Sequence, residues 1–413
     1  MTPATLEPER LRRLLEGSDE LALVDVHELE DFRAGHLYAA AYLPASWTEG
    51  RRRRVETWVP RRDTPVVLVG PPGVVEAEAR TWSSWGYRDV AVLAGGTPAW
   101  ARDGGRAFRN LCVPSKALAE SARAAYATPS VSVDALASAL ADPSRAPLLV
   151  DVRSPEEYGE ATVPGATSIP GGELVARIAA HLGDDRRPVV VTCAGRTRAI
   201  FGAQSLRDAG LPNPVTFLEG GTTAWAESGR PLERGATPHG ADAPLPAADH
   251  AADLVAALRA RSPDLVTVVD RDGLDLLLAE QDRTTYVVDP RLVPGPDPVP
   301  GVEVHHVPAG QLVEAVDEHL PVLRARVVLV DEAPHLRAHA IARWLTASRL
   351  LEVYVLDTSR SHTFRRGTIP EPTPRPDPAA PPEGSRALEE DYRAWSVALP
   401  ALAAAEPGGG FAL

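Results

Sequence analysis

Cys193 closes the apolar run Val189-Val190-Val191-Thr192 and opens the turn Ala194-Gly195-Arg196-Thr197-Arg198. An uninterrupted β-branched run fits a strand buried on both faces of a parallel sheet. From Ala199 to Ala209, Ile200, Ala203 and Leu206 recur at helical spacing. The stretch therefore predicts a thiol at a strand tip, curled over the start of a helix. Backbone N–H groups converge at such a place, and the helix's positive end favours an anion. Arg196 and Arg198 add formal positive charge. Together these features predict a lowered thiol pKa and a thiolate nucleophile. The reading requires the turn to wrap around the sulfur and solvent to reach it. The plainer alternative is a small buried hydrophobe, which most free cysteines are.

The elements that must position this thiol occur in triplicate. Leu21-Ala22-Leu23-Val24-Asp25, Leu148-Leu149-Val150-Asp151 and Tyr286-Val287-Val288-Asp289 each read as a strand ending in a carboxylate. Each follows a helix-like stretch (Glu9 to Leu15, Val133 to Leu140, Leu274 to Ala279) and precedes a second apolar run. Asp151 to Cys193 and Asp289 to Asp331 are both 42 positions apart, and Asp25 to Gly70 is 45. Gly95-Gly96-Thr97-Pro98-Ala99-Trp100 mirrors Gly220-Gly221-Thr222-Thr223-Ala224-Trp225. Strands alternating with helices imply parallel β with crossover helices, here an α/β fold repeated three times. In such sheets chemistry sits at the carboxyl ends of the strands, where Cys193 lies.

The implied organisation is a first repeat over 1–106, a linker over 107–128 and a second repeat over 129–235. A linker over 236–250 and a third repeat over 251–369 follow. Residues 370–413 form a proline-rich linker and a helical tail, with Ser385 as N-cap and Pro400 as kink or stop. At 413 residues the chain is too long for a single ordinary core. Its net charge of −13 argues against non-specific binding to nucleic acid or acidic membranes. The run Arg51 to Arg54 reads as a solvated loop or helix face. Two cysteines exclude a disulfide framework and make a reducing cytoplasm the simplest home. There is no apolar leader, no span of membrane length and no zinc-ligand spacing. Cys112 falls in a linker and reads as structural; Trp100 and Trp225 read as packing residues. His36, His305, His306 and His335 have no ligand spacing.

Three separated motifs in order make the second repeat resemble the rhodanese homology domain, a sulfurtransferase module. Asp151-Val152-Arg153-Ser154-Pro155-Glu156-Glu157-Tyr158 with Val163-Pro164-Gly165-Ala166 is similar to its amino-terminal signature. Cys193 to Arg198 sits where the family has its active-site loop, and Leu218-Glu219-Gly220-Gly221 with Trp225 resembles its closing signature. The first repeat keeps Asp25, Gly35-His36-Leu37 and Gly95-Gly96. It has Gly70-Pro71-Pro72-Gly73 in place of the cysteine loop and His27 in place of the arginine. The third keeps Asp289 and Arg291 but has Asp331 at the cysteine position. The resemblance implies one catalytic domain between two inactive copies.

It also implies persulfide transfer. Cys193 would take the sulfane sulfur of thiosulfate or a related donor and pass it to cyanide or a thiol. Ala194, Gly195, Arg196, Thr197 and Arg198 would bind the persulfide and the donor oxyanion, while Asp151 and Arg153 would brace the site through an ion pair. The partners implied are a small-molecule donor and a thiol or cyanide acceptor, with a protein thiol as one candidate. No cofactor, metal, nucleic acid or membrane is implied. The rivals are 3-mercaptopyruvate as donor, a non-catalytic binding or regulatory scaffold, and a phosphatase. Cysteine phosphatases use a Cys-x5-Arg loop, one residue longer than the Cys-x4-Arg here.

Overall fold

A computed structural model of the chain describes residues 3–240, 243–261, 266–293, 299, 301–347, 351–359, 386–411 and 413. Sixteen strands lie among them. β1 (Ala4–Leu6), β2 (Leu21–Asp25), β3 (Ala41–Tyr42), β4 (Val66–Val69) and β5 (Val90–Leu93) come from the first repeat. β6 (Ser130–Val131), β7 (Leu148–Asp151), β8 (Thr167–Ser168), β9 (Val189–Thr192) and β10 (Val215–Leu218) come from the second. The third supplies β11 (Thr267–Val269), β12 (Thr285–Asp289), β13 (His305–His306), β14 (Val322–Leu323), β15 (Arg326–Val330) and β16 (Glu352–Leu356).

The second and third sheets have the same order, β6-β10-β9-β7-β8 and β11-β16-β15-β12-β13, parallel throughout. The first follows it as β1-β5-β4-β2, with β3 also on β2. Helices flank the sheets. The fold is thus α/β with rhodanese-like units in tandem and a helical carboxyl-terminal segment. Wholly buried strands such as Val66–Val69 and Val189–Thr192 explain the continuous apolar runs, since crossover helices cover both faces of a parallel sheet. The helix of 133–140 opens on Ser132, whose hydroxyl accepts the Ala135 N–H at 3.3 Å.

The units are not beads on a string. One buried apolar cluster runs from Leu11 through Val191 and Cys193 to Trp344 and Ala403, joining all three. β14, from the third repeat, pairs antiparallel with β2 of the first, Val322 opposite Ala22. Repeat boundaries read along the chain miss this exchange, because two residues carry no period.

The segment 107–128 is also more than a linker. Its helix Val113–Ala125 buries Ala117, Leu118, Ala119 and Ala122, and packs against the helices Thr197–Asp208, Ala309–Glu314 and Arg386–Ala404. Small side chains let several helices approach it at once. The tail helix runs through Pro400 to Ala404, so the proline does not end it. Ser385 and the proline-rich stretch lie outside the described residues, as do parts of the 236–250 linker. The run Arg51 to Arg54 opens the helix Arg51–Trp58, where Arg52 and Arg53 are exposed as a solvated face requires, while Arg51 departs from that reading and is buried on Glu78 at 2.8 Å. Cys112 is buried, and neither cysteine forms a disulfide. Trp100 and Trp225 are buried as well.

Candidate active site

Asp151 ends β7 opposite Thr192 of β9, and Cys193 follows at the carboxyl edge of the sheet. Arg153 donates from its backbone N–H to Asp151 Oδ1 at 3.1 Å and from Nη2 to Oδ2 at 2.7 Å. The Thr162 hydroxyl donates to the same carboxylate at 2.8 Å. Both charged groups are buried, so the pair holds the loop after β7 against the sheet.

The turn is fixed from the other side. The carbonyls of Cys193 and Ala194 accept the N–H groups of Thr222 at 2.9 Å and Thr223 at 3.1 Å. These donors stand in the helix Gly221–Glu227, reached through Gly220 and Gly221 at φ 71° and 57°. A Cβ on Gly221 would lie 2.1 Å from the Cys193 carbonyl oxygen, so close approach as well as backbone conformation demands glycine. Thr197 begins the helix Thr197–Asp208. The backbone N–H groups of Gly195 and Ala199 act on the Cys193 thiol in the direction that favours a thiolate.

Solvent access and pKa differ from the sequence expectation. Cys193 is 2% exposed. Burial pushes its thiol up; Arg198 and the two amides oppose this, Glu314 adds to it, and the balance stays above the ordinary value. Cys193 sits in the shared apolar cluster, and the helix Ala309–Glu314 of the third repeat packs against the helix Thr197–Asp208 that follows it. Water that would solvate a thiolate is excluded there.

The two arginines of the turn have different partners. Arg196 places Nε on Glu120 Oε1 at 2.5 Å, Nη1 on Glu219, and its guanidinium over the Phe217 ring. It ties the turn to the helix Val113–Ala125 and to the end of β10. Arg198 holds Glu157 with two hydrogen bonds of 2.6 and 2.8 Å, and its Nε is 3.3 Å from Glu314. Burial would raise the Glu157 carboxyl, but the Arg198 charge and hydrogen bonds, helped by Arg153, carry it down to about 2. Of the two guanidinium charges, that of Arg198 acts on the thiol.

Sequence reasoning missed four of these carboxylates. Glu157 had a signal, since Ser154 and Glu157 form a capping box with hydrogen bonds of 3.3 and 3.2 Å. Glu219 lay within the closing motif. Glu120 and Glu314 had none, because each is brought in by packing between repeats.

The other two repeats use the same place differently. Asp331 follows β15, and its Oδ2 accepts the N–H groups of Arg337 at 2.9 Å and Ala338 at 3.2 Å. Its Oδ1 accepts from Glu332 N–H at 2.9 Å and Arg337 Nη1 at 3.1 Å. The anion hole is present, and the chain's own carboxylate fills it. In the first repeat Gly70 follows β4, and a Cβ there would lie 2.4 Å from Val26 Cγ2. The carboxylate brace recurs in all three: His27 Nδ1 lies 2.7 Å from Asp25, and Arg291 Nη2 donates to Asp289 at 2.7 Å.

Among the described residues no group of three or more His, Cys, Asp or Glu is placed to hold a metal. No described helix is long and apolar enough to cross a membrane.

The model of the rhodanese-like domain matches residues 7–103 and 132–228. A helix-turn-helix-type transcriptional regulator of Mycobacterium tuberculosis is 40% identical over 90 residues; the match covers 21% of this chain and 38% of the regulator. The crystal structure of a thiosulfate sulfurtransferase from Pseudomonas aeruginosa superposes with a TM-score of 0.81 at 37% identity, covering 90% of this chain and 70% of that one. The strand order, the cysteine turn and a likeness that runs through nearly the whole length agree, and the chain belongs to the rhodanese family as a tandem, rhodanese-like sulfurtransferase.

Proposed function

We propose that this protein moves sulfane sulfur from thiosulfate, or a related donor, to a thiophilic acceptor through a persulfide on Cys193. The Cys193 thiolate attacks the outer sulfur of thiosulfate; the S–S bond breaks and sulfite leaves with its electron pair. The persulfide Cys–S–S⁻ remains. Cyanide or a thiolate then attacks the outer sulfur, and the Cys193 thiolate is the leaving group. The observation that carries the reading is the place of Cys193, at the carboxyl end of β9 and before the helix Thr197–Asp208, in a turn whose carbonyls are held by the Thr222 and Thr223 amides. Ala194 and Thr197 supply the turn's shape, Arg196 holds it in place, and Arg198 meets the donor's oxyanion. Asp151 and Arg153 brace the neighbouring strand. 3-Mercaptopyruvate is the alternative donor.

The closed thiol favours a second reading, a regulatory or binding module in which Cys193 is not loaded. A donor reaches a 2% exposed sulfur only after a covering group moves. Thiosulfate:cyanide transfer by the wild type and by Cys193→Ser separates the readings. The proposal expects thiocyanate from the wild type only. Thiocyanate from neither would favour the binding module, and phosphatase activity in its place would revive the third rival.

A further inference from the structure

Glu314 belongs to the third repeat, yet its carboxylate lies 3.3 Å from Arg198 Nε in the turn of the second. It is delivered by anchored backbone. The helix Ala309–Glu314 meets the second repeat where a Cβ on Gly172 would stand 2.4 Å from that of Ala309, and the Glu314 carbonyl accepts the Ser115 hydroxyl. Glu157 already holds the same guanidinium through two hydrogen bonds. Two carboxylates therefore share one cation beside the thiol.

The third repeat displays the same geometry with an anion in the hole. Arg337 gives Nη1 to Asp331 at 3.1 Å and keeps Nε on Glu173 of the second repeat at 2.6 Å. The two loop arginines thus reach reciprocally across one interface, each to a glutamate of the other repeat. A cross-domain glutamate stays on Nε while the loop's anion takes the far end of the guanidinium. In the second repeat Glu157 takes the far end of Arg198, so an anion bound beside Cys193 would meet Arg198 with Glu157 and Glu314 both attached.

We propose that Glu314 is a specificity-determining residue supplied by the non-catalytic third repeat: it neutralises Arg198 and so disfavours dianionic donors relative to uncharged or singly charged ones. This rests on the reading of Cys193 as the nucleophile. It gives one inactive copy a part in substrate selection.

The test uses the full chain and two alkylating reagents of nearly equal size, anionic iodoacetate and neutral iodoacetamide. With either, the Cys193 thiolate bonds the methylene carbon and iodide leaves with the bonding pair. Rates at Cys193 are read by peptide mapping, which separates it from Cys112. Glu314→Gln is expected to raise the iodoacetate-to-iodoacetamide rate ratio at least about fivefold. Glu173→Gln loosens the same interface through the mirror-image pair and is expected to leave the ratio within about twofold. Glu314→Asp, which shortens the reach by one methylene, should shift it in the same direction by about twofold, and it decides the matter should Glu314→Gln not fold. An unmoved ratio in the Glu314 variants, or an equal shift in Glu173→Gln, would overturn the proposal. Alkylation needs no sulfur transfer, so the ratio can move in a protein that never forms a persulfide. Where transfer is active, Glu314→Gln is also expected to lower the thiosulfate KM with kcat little changed.

Discussion

The turns at Cys193 and Asp331 are one device with two occupants. Both follow a central strand, both have backbone amides that act on the first side chain, by hydrogen bonds at Asp331 and by their effect on the thiol at Cys193, and both end in an arginine that reaches across the domain interface. In the third repeat the occupant is a fixed carboxyl group, which burial pushes up in pKa and which the Arg337 charge and the amides of Ala338 and Glu332 pull back. A carboxylate places its charge two bonds beyond Cβ, as many bonds as the outer sulfur of a cysteine persulfide, and Asp331 takes hydrogen bonds there from the amides of Arg337 and Ala338. In the second repeat the occupant is a thiol that can be charged or neutral. An anion hole that must be filled on demand needs an exchangeable occupant; one that only holds a fold together does not. The first repeat has closed the hole, since Val26 occupies the space a side chain at position 70 would need.

The two occupants are expected to differ sharply in what they contribute to stability. Asp331→Ala leaves buried amides without an acceptor and Arg337 short of a partner, and is expected to cost about 3–5 kcal/mol in urea unfolding. Cys193→Ala removes only a small buried sulfur and is expected to cost about 1 kcal/mol. Equal losses would break the distinction.

The glycine that closes the turn offers a finer contrast. Gly221 and Gly96 occupy matching positions at φ 57° and 56°. An added Cβ meets the Cys193 carbonyl at 2.1 Å in one case and nothing nearer than 3.8 Å in the other. Gly96→Ala should cost about 1 kcal/mol from backbone conformation alone, and Gly221→Ala at least about 2 kcal/mol more. Thermal unfolding of the pair measures the difference. A similar loss at both sites would mean that the second turn yields as easily as the first.

Histidines elsewhere give an effect to be read against pH. Burial lowers His36 to about 4, where it stacks on Phe32, and burial with the nearby Arg259 charge does the same to His339. Both are therefore neutral in the fold. A folded pKa below the unfolded one gives stability that is present above about 6.5 and lost as pH falls toward 4. Each is worth about 3 kcal/mol at most by that span. His36→Gln should flatten the acid limb of the melting curve, and an unchanged limb would contradict the assignment.

The smallest expected effect lies at the thiol. Glu314→Gln removes a negative charge that acts on Cys193, so the iodoacetamide rate should reach its half-maximum at a lower pH than in the wild type. No displacement would mean that Glu314 does not act on the sulfur.

The sheet and its ends were legible because they follow local rules. β-branched runs marked β4, β9 and β15, and equal spacing from Asp151 to Cys193 and from Asp289 to Asp331 placed the two turns in register. The position of the thiol followed from the same pattern. Its environment did not. Glu120 and Glu314 approach the turn from a helix between repeats and from the next repeat, so no motif contains them. The raised thiol pKa is a consequence of burial, with a smaller push from Glu314, which local charge counting around Arg196 and Arg198 could not reveal. β14 crossing to β2 was hidden because a two-residue strand has no pattern to read.

The central claim is that Cys193 can be loaded with one sulfur atom and unloaded again. Intact mass after incubation with thiosulfate, and again after cyanide, tests it directly. The expected result is a gain of about 32 Da that maps to Cys193, is absent in Cys193→Ser and disappears with cyanide. A mass that stays unchanged with thiosulfate, in protein whose Cys193 is alkylated by iodoacetamide, would contradict it.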